Sequence, residues 1–216
     1  AFERYDVVLV EAAPSGASPA SELDSADGIL ESWNDEDPEP GFEEMIITLG
    51  FNYESLVEGR ACDWGERRVL HLDGEVTTCP TIKSVGYSTW APAFLAGVAA
   101  MEVSTTKRAA AIGGLPIPPV EAFIDGFAAG VAHAGGTVDE VVYFSPSDDG
   151  FANPDLAEER ARALYADDVD VIFPVAGSSG LGVIEAAKAF DARYVVGVDA
   201  DQSYLGRGVV IGSVRK

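Results

Sequence analysis

The chain has 216 residues, 47% of them apolar, and a formal charge of −22 from 36 acids against 14 lysines and arginines. That length buries a core as one large or two small domains, and no apolar run reaches the ~18–20 residues of a membrane span. The acidic excess argues against a nucleic-acid partner, which needs a basic face; spread over the whole chain, it reads as the surface of a protein from a salt-loving organism.

In chain order, residues 5–11 (YDVVLVE) read as a strand, preceded by a scrap of helix at 1–4. Residues 12–41 are rich in Pro, Ser, Asp and Glu. Within them 21–33 has a helical pattern with Ser21 as N-cap, and 34–41 (NDEDPEPG) is an acidic loop. Residues 45–50 are a buried strand, followed by a short helix from near Asn52, and 68–73 is the next strand. Residues 81–87 lead into an Ala-rich helix over 92–104.

A strand at 109–114 ends in a double glycine, and Pro118 and Pro119 open a helix, as proline does at first positions. Its face of Val120, Phe123, Ile124, Phe127 and Val131 has the i, i+3, i+4, i+7 spacing of a core contact rather than a cofactor box. Then come a strand at 138–145 and a helix running to Tyr165, capped by Asn153 or Asp155. Strands at 169–176 and 193–198 flank the GSSGLG turn (177–182) and a helix to Phe190. A last strand covers 208–214. Strands alternate with helices almost throughout, which means an α/β fold with largely parallel sheets.

Cys62 and Cys79, with the isolated His71 and His133, offer no metal-ligand spacing. His133, near a helix end, reads as a partner of the helix dipole. The cysteines flank strand 68–73 at what read as opposite ends. That favours two thiols over a disulfide, although a secreted context would allow pairing.

Residues 168–202 carry the functional signal. Strand, glycine turn, helix and strand make a right-handed βαβ unit, whose ligands sit beyond the carboxyl ends of the strands. Phe173–Ser179 and Asp199–Gln202 lie at that edge. GSSGLG is either a dinucleotide fingerprint or a close helix–strand turn. Asp199 ends a buried strand, where a carboxylate accepts two hydroxyl donors at once, as a ribose diol requires; the alternative is an aspartate capping the next turn. Asp201 and Gln202 read as holding the turn or hinge. Phe173, late in its strand, reads from the residues alone as core. Asp73, before Gly74, has the alternative of a turn aspartate. No Ser/His/Asp order, Cys–His pair or G-x-S-x-G string gives a catalytic set, so an enzyme is not expected.

The strings VIFPVAGSSGLGVIEAAK (171–188) and YVVGVDADQSYL (194–205) closely resemble the basic membrane lipoprotein (BMP/PnrA-like) family of purine-nucleoside-binding receptors of ABC importers. FLAGVAA (94–100), AAIGGLPIP (110–118) and FIDGFAAGV (123–131) follow the family's order and spacing, with weaker matches at MIITLGF (45–51) and VLHLDG (69–74). The resemblance implies a type I periplasmic-binding-protein-like fold of two Rossmann-like lobes hinged around a cleft. It implies lobes over 1–87, joined by 204–216, and over 88–203.

For the site, it implies that Asp199 binds the ribose, that Phe173 stacks on the purine, and that Gly177 and Ser178 offer N–H groups. It further implies that Asp73 reads the base edge and that Lys216 lies near the ribose. The implied partners are a purine nucleoside and ABC permease subunits, with no cofactor. The implied location is extracellular and lipid-anchored, with the anchor segment not in this sequence. Family members begin with a strand and a helix carrying an aspartate and a Ser-Phe pair of the site, and continue past the string that here is Ser213 to Lys216. Both ends are therefore expected to be missing. The first lobe should then have a gap beside 5–11, filled by another segment or rearranged, and the second should be regular. A Rossmann enzyme using GSSGLG for a dinucleotide, and the effector half of a transcription regulator, are the other readings.

Overall fold

A computed structural model of the chain describes residues 26–32, 45–62 and 68–215. It divides into two compact units, residues 1–87 and 88–216. Residues 5–11, Ser21, the loop 34–41 and Lys216 lie outside the described residues, and so does any pairing of 5–11 with the strand at 45–49.

In the first unit, strands β1 (Met45–Leu49), β2 (Arg68–Leu72) and β3 (Ile82–Val85) form a parallel sheet in the order β1-β2-β3. Alternation sends Val69 and Ile82 to one face, since successive side chains of a strand point to opposite sides. There they share a core with Leu30 of helix α1 (residues 26–32) and Val57 of helix α2 (Glu54–Ala61). Ion pairs of Arg60 to Asp27 at 2.5 Å and to Glu31 at 2.9 Å tie α2 to α1.

The cysteines correct the sequence reading. Cys62 and Cys79 form a disulfide, their Cα atoms 5.3 Å apart. Because β2 and β3 are parallel, the connection after β2 must run back to the start of the sheet. That return brings Cys79 beside the end of α2, which itself feeds β2. Closing a loop of this length stabilises by about 3 kcal/mol.

The second unit has five parallel strands: β4 (Arg108–Gly113), β5 (Thr137–Tyr143), β6 (Val171–Val175), β7 (Tyr194–Asp199) and β8 (Val210–Arg215). Their order is β5-β4-β6-β7-β8, the doubly wound order in which the chain starts centrally, steps one way, then returns and winds the other. Helices α3 (Trp90–Val103) and α4 (Pro118–His133) cover one face, and α5 (Pro154–Ala166) and α6 (Gly180–Lys188) the other. In β6, Val171, Phe173 and Val175 face α3 and α4, while Ile172 faces α5 and α6. Val120, Phe123, Ile124, Phe127 and Val131 of α4 are all buried in the first of these cores. Asn153, not Asp155, caps α5: its side chain accepts from the Leu156 N–H at 3.2 Å, with Pro154 at the first helical position.

Helices α3 and α4 meet backbone to backbone. A Cβ on Gly130 would overlap the Phe94 carbonyl oxygen, and one on Gly97 the Phe127 carbonyl oxygen. The glycines of FLAGVAA and FIDGFAAGV thus serve helix contact rather than a ligand.

Residues 204–216 depart from the expected division. They do not join the first unit: β8 extends the second sheet by pairing with β7 from Val195↔Val210 to Asp199↔Arg215. Burial explains it, because Val210 and Val214 each fill one of the two cores of that sheet.

Asp170, just before β6, is fully buried. Burial pushes its carboxyl pKa up, but hydrogen bonds from Ser104 Oγ (2.6 Å), the Thr106 N–H (2.9 Å) and the Thr105 N–H (2.7 Å) outweigh that and hold it below the usual carboxylate range. A depressed folded value stabilises above the unfolded pKa of ~3.9, and the contribution is lost as pH falls below that toward the folded value. Asp170→Asn should therefore cost about 1–1.5 kcal/mol at neutral pH, the difference between charged and neutral hydrogen bonds. The cost should shrink below pH ~4 in urea unfolding measured against pH.

The basic side chains Arg60, Arg108, Arg162, Lys188, Arg193 and Arg215 all sit in ion pairs with acids. The large remaining acidic excess is left for the medium to screen. Diluting salt lengthens the screening distance from ~3 Å at 1 M to ~10 Å at 0.1 M. The melting temperature should fall on that dilution; a constant value would contradict the reading of an acid-rich, salt-adapted surface.

Candidate functional site

In a doubly wound sheet the crevice opens where the winding reverses, outside the carboxyl ends of the two strands concerned. Here those strands are β4 and β6. The Gly114 N–H still donates to the Val175 carbonyl at 2.9 Å. Beyond it the chain leaves β4 for α4 on one face and β6 for α6 on the other.

The loop from β5 to α5 crosses this point. It is held internally: Asp148 Oδ2 accepts from Ser145 Oγ at 2.6 Å and from the Ser145 N–H at 3.0 Å, which holds that carboxyl below its ordinary range. The Asn153 side-chain amide donates to the Asp148 carbonyl at 2.8 Å. Phe151, in this loop, is half-buried, its ring lying where a Cβ at Gly114 would be.

The GSSGLG turn binds this loop. Ser178 Oγ donates to the Phe151 carbonyl at 2.9 Å, and the Ser179 N–H reaches the same oxygen at 3.3 Å. Buried Ser179 Oγ donates to the Gly150 carbonyl and accepts from the Asn153 N–H, both at 2.8 Å. Gly177 has φ +54, and a Cβ there would stand 2.9 Å from the Phe151 oxygen. Both the left-handed backbone and the close approach require glycine. The serine hydroxyls are thus committed to the protein's own loop.

Phe173 is not part of this edge. It is fully buried, 4.9 Å from the Phe127 ring and 6.2 Å from the Phe123 ring by centroids. Alternation turns its side chain under α4, so it has no face to offer a base, and the stacking role implied by resemblance is corrected to core packing. An aromatic side chain that does lie at the edge is Phe151. Periodicity could not find it, since it lies in a loop. Its place after a parallel strand was the available signal, because such loops always emerge at the ligand edge.

Asp199 ends β7, the sheet neighbour of β6, and is exposed with φ +64. A non-glycine residue there is uncommon, and asparagine and aspartate tolerate it best. Asp73 belongs to the first unit. It follows β2 directly, half-buried, with φ +63. Beneath its turn His71 is fully buried, with Nδ1 2.8 Å from Thr48 Oγ1. Burial pushes the His71 pKa down against the opposing charges of Glu54 and Asp73. The structure therefore brings Gly177, Ser178 and Phe151 together and places Asp199 at the end of the adjoining strand. Phe173 faces away from that edge, and Lys216 lies outside the described residues.

Residues 42–216 match the family of ABC transporter substrate-binding proteins described as PnrA-like, or Bmp. The chain belongs to this family. Among its relatives, Basic membrane protein D of Borreliella burgdorferi (strain JD1) is 32% identical over 183 residues, covering 82% of this chain and 53% of that protein. The ABC transporter nucleoside-binding protein BmpA of Lactococcus lactis is 26% identical over 170 residues, covering 76% of this chain and 48% of that protein. The chain spans about half the length of the curated relatives it matches.

A solute-binding protein of an ABC transporter system from Aeropyrum pernix K1 is similar in structure, with a TM-score of 0.74 and 23% identity over 91% of this chain and 55% of that one. A transcriptional activator of the comK gene from Bacillus halodurans follows at 0.67 and 20%, over 91% and 63%. Those likenesses show the fold, which receptors and regulators share. The Bmp match, to a family of substrate-binding proteins rather than enzymes, separates the two and disfavours the dinucleotide enzyme. Among the described residues, no helix is long and apolar enough to cross a membrane.

Proposed function

We propose that this Bmp-family chain is the extracellular substrate-binding component of an ABC importer and that its ligand is a purine nucleoside. The observation that carries the reading is Asp199: an exposed carboxylate at the carboxyl end of β7, in a backbone conformation rare for residues other than glycine. Such outliers cluster at ligand sites. A carboxylate there accepts from both hydroxyls of a ribose. Phe151 supplies the face for the base, an interaction worth about 1–3 kcal/mol, and Gly177 and Ser178 supply N–H groups. Asp73 accepts from a base carrying an N–H donor, such as the ring N1–H of hypoxanthine or guanine. Lys216 adds a cation near the ribose. The partners are permease subunits, and the protein sits at the cell surface by a lipid anchor.

Thermal melting tests the ligand class. Inosine or guanosine at a hundred times its dissociation constant should stabilise by ~2.7 kcal/mol, visible as a raised midpoint. NAD should leave the midpoint unchanged. A shift with NAD and none with either nucleoside would replace this reading with the dinucleotide one.

A further inference from the structure

Asp199 stands in a tight turn that needs holding. The Ala200 N–H donates to the Val198 carbonyl at 2.8 Å, closing a three-residue turn with Asp199 at its centre and φ +64. Three-residue turns with positive φ are rare and strained. Such conformations persist only where the surroundings over-determine them. The paired register of β6 with β7 ends at Val195, so β6 is not the partner of the Val198 N–H.

Gln202 fills that need from the other end of the loop. Its side-chain oxygen accepts from the Val198 N–H at 3.1 Å, and its own N–H donates to Ser213 Oγ on β8 at 3.0 Å. Room for this comes from Gly197: a Cβ there would overlap Ser213 Oγ and stand 2.9 Å from the Gln202 side-chain oxygen. β8 is locked beside the turn by the pairs Gly197↔Ser213 and Asp199↔Arg215. A buried N–H left without an acceptor is costly, so the turn and the carboxamide depend on each other.

We propose that Gln202 is a positioning residue for the ligand carboxylate. Its side chain, steadied by Ser213, fixes the Val198–Asp199–Ala200 turn so that Asp199 is presented to the two ribose hydroxyls in one geometry. The proposal rests on the reading of Asp199 as the ribose acceptor. Preorganisation of this kind raises affinity by removing the ordering cost of the loop at binding. It also assigns a use to the glycine and the glutamine of VGVDADQ, neither of which touches the ligand in this account.

The test uses the full-length protein, inosine calorimetry and amide hydrogen exchange without ligand. Gln202→Ala should weaken inosine binding about tenfold, and the double variant with Asp199→Asn should bind no more weakly than Asp199→Asn alone, since residues acting as a unit are not additive. Without ligand, Gln202→Ala should speed exchange at Val198 and Ala200. Gln202→Glu, which keeps the acceptor, should restore protection. Unchanged exchange in Gln202→Ala, or a loss of affinity that adds in full to that of Asp199→Asn, would overturn the positioning role. Faster exchange combined with inosine affinity indifferent to Asp199 would instead overturn the ribose-site reading and leave Gln202 as a holder of the turn alone.

Discussion

Phe173→Ala is expected to destabilise the protein by about 3–5 kcal/mol, the usual cost of truncating a buried phenylalanine, while leaving the nucleoside affinity of the folded fraction within a few-fold. The ring is fully buried and meets Phe123 and Phe127 of α4. Removing it opens a cavity on the α3–α4 face of the sheet, where α4 cannot close in because its glycines already touch α3 backbone to backbone. Urea unfolding measures the loss. Phe173→Leu, costing about 1–1.5 kcal/mol, keeps the experiment interpretable if the alanine variant does not fold. A variant that lost affinity tenfold or more with stability intact would put Phe173 back in the site.

Asp199→Ala should cost about 2 kcal/mol of nucleoside affinity, roughly thirtyfold, by removing a charged acceptor from two hydroxyl donors. Part of any stability change would come from the backbone, because alanine is strained at φ +64. Asp199→Asn separates the two effects. Asparagine tolerates that conformation but replaces one acceptor oxygen with a donor, so affinity should fall by a similar factor with less change in melting temperature. Equal affinity for inosine in the wild type and both variants would remove Asp199 from the site.

The α/β class and the parallel strands were legible because buried parallel strands are continuous apolar runs, and 171–175 and 194–198 leave no other reading. The core face of α4 was equally plain from its spacing. What the sequence hid was direction and return. Strand alternation decides which side of the sheet Phe173 meets, but a run apolar at every position, VIFPV, carries no marker of which face is which. Cys62 and Cys79 looked far apart because a linear reading places them at two ends of a strand. The parallel crossover that reunites them is a property of the sheet. The allocation of 204–216 failed for a related reason: the run from Val210 to Val214 is a short strand pattern, and nothing local says which sheet edge it extends. The place of Asp199 at the end of β7 was legible because it ends an apolar strand abruptly. Phe151 was not, because a loop has no period.

Comparing inosine with 2′-deoxyinosine by calorimetry tests most directly whether Asp199 binds the hydroxyls of a nucleoside ribose. Deleting one hydroxyl removes a hydrogen bond to a charged acceptor, worth about 1.5–3 kcal/mol. The wild-type protein should therefore prefer inosine by tenfold or more, and in Asp199→Asn most of that preference should vanish. A wild-type protein that binds neither nucleoside, or one whose preference is the same with and without the Asp199 carboxylate, would contradict the claim.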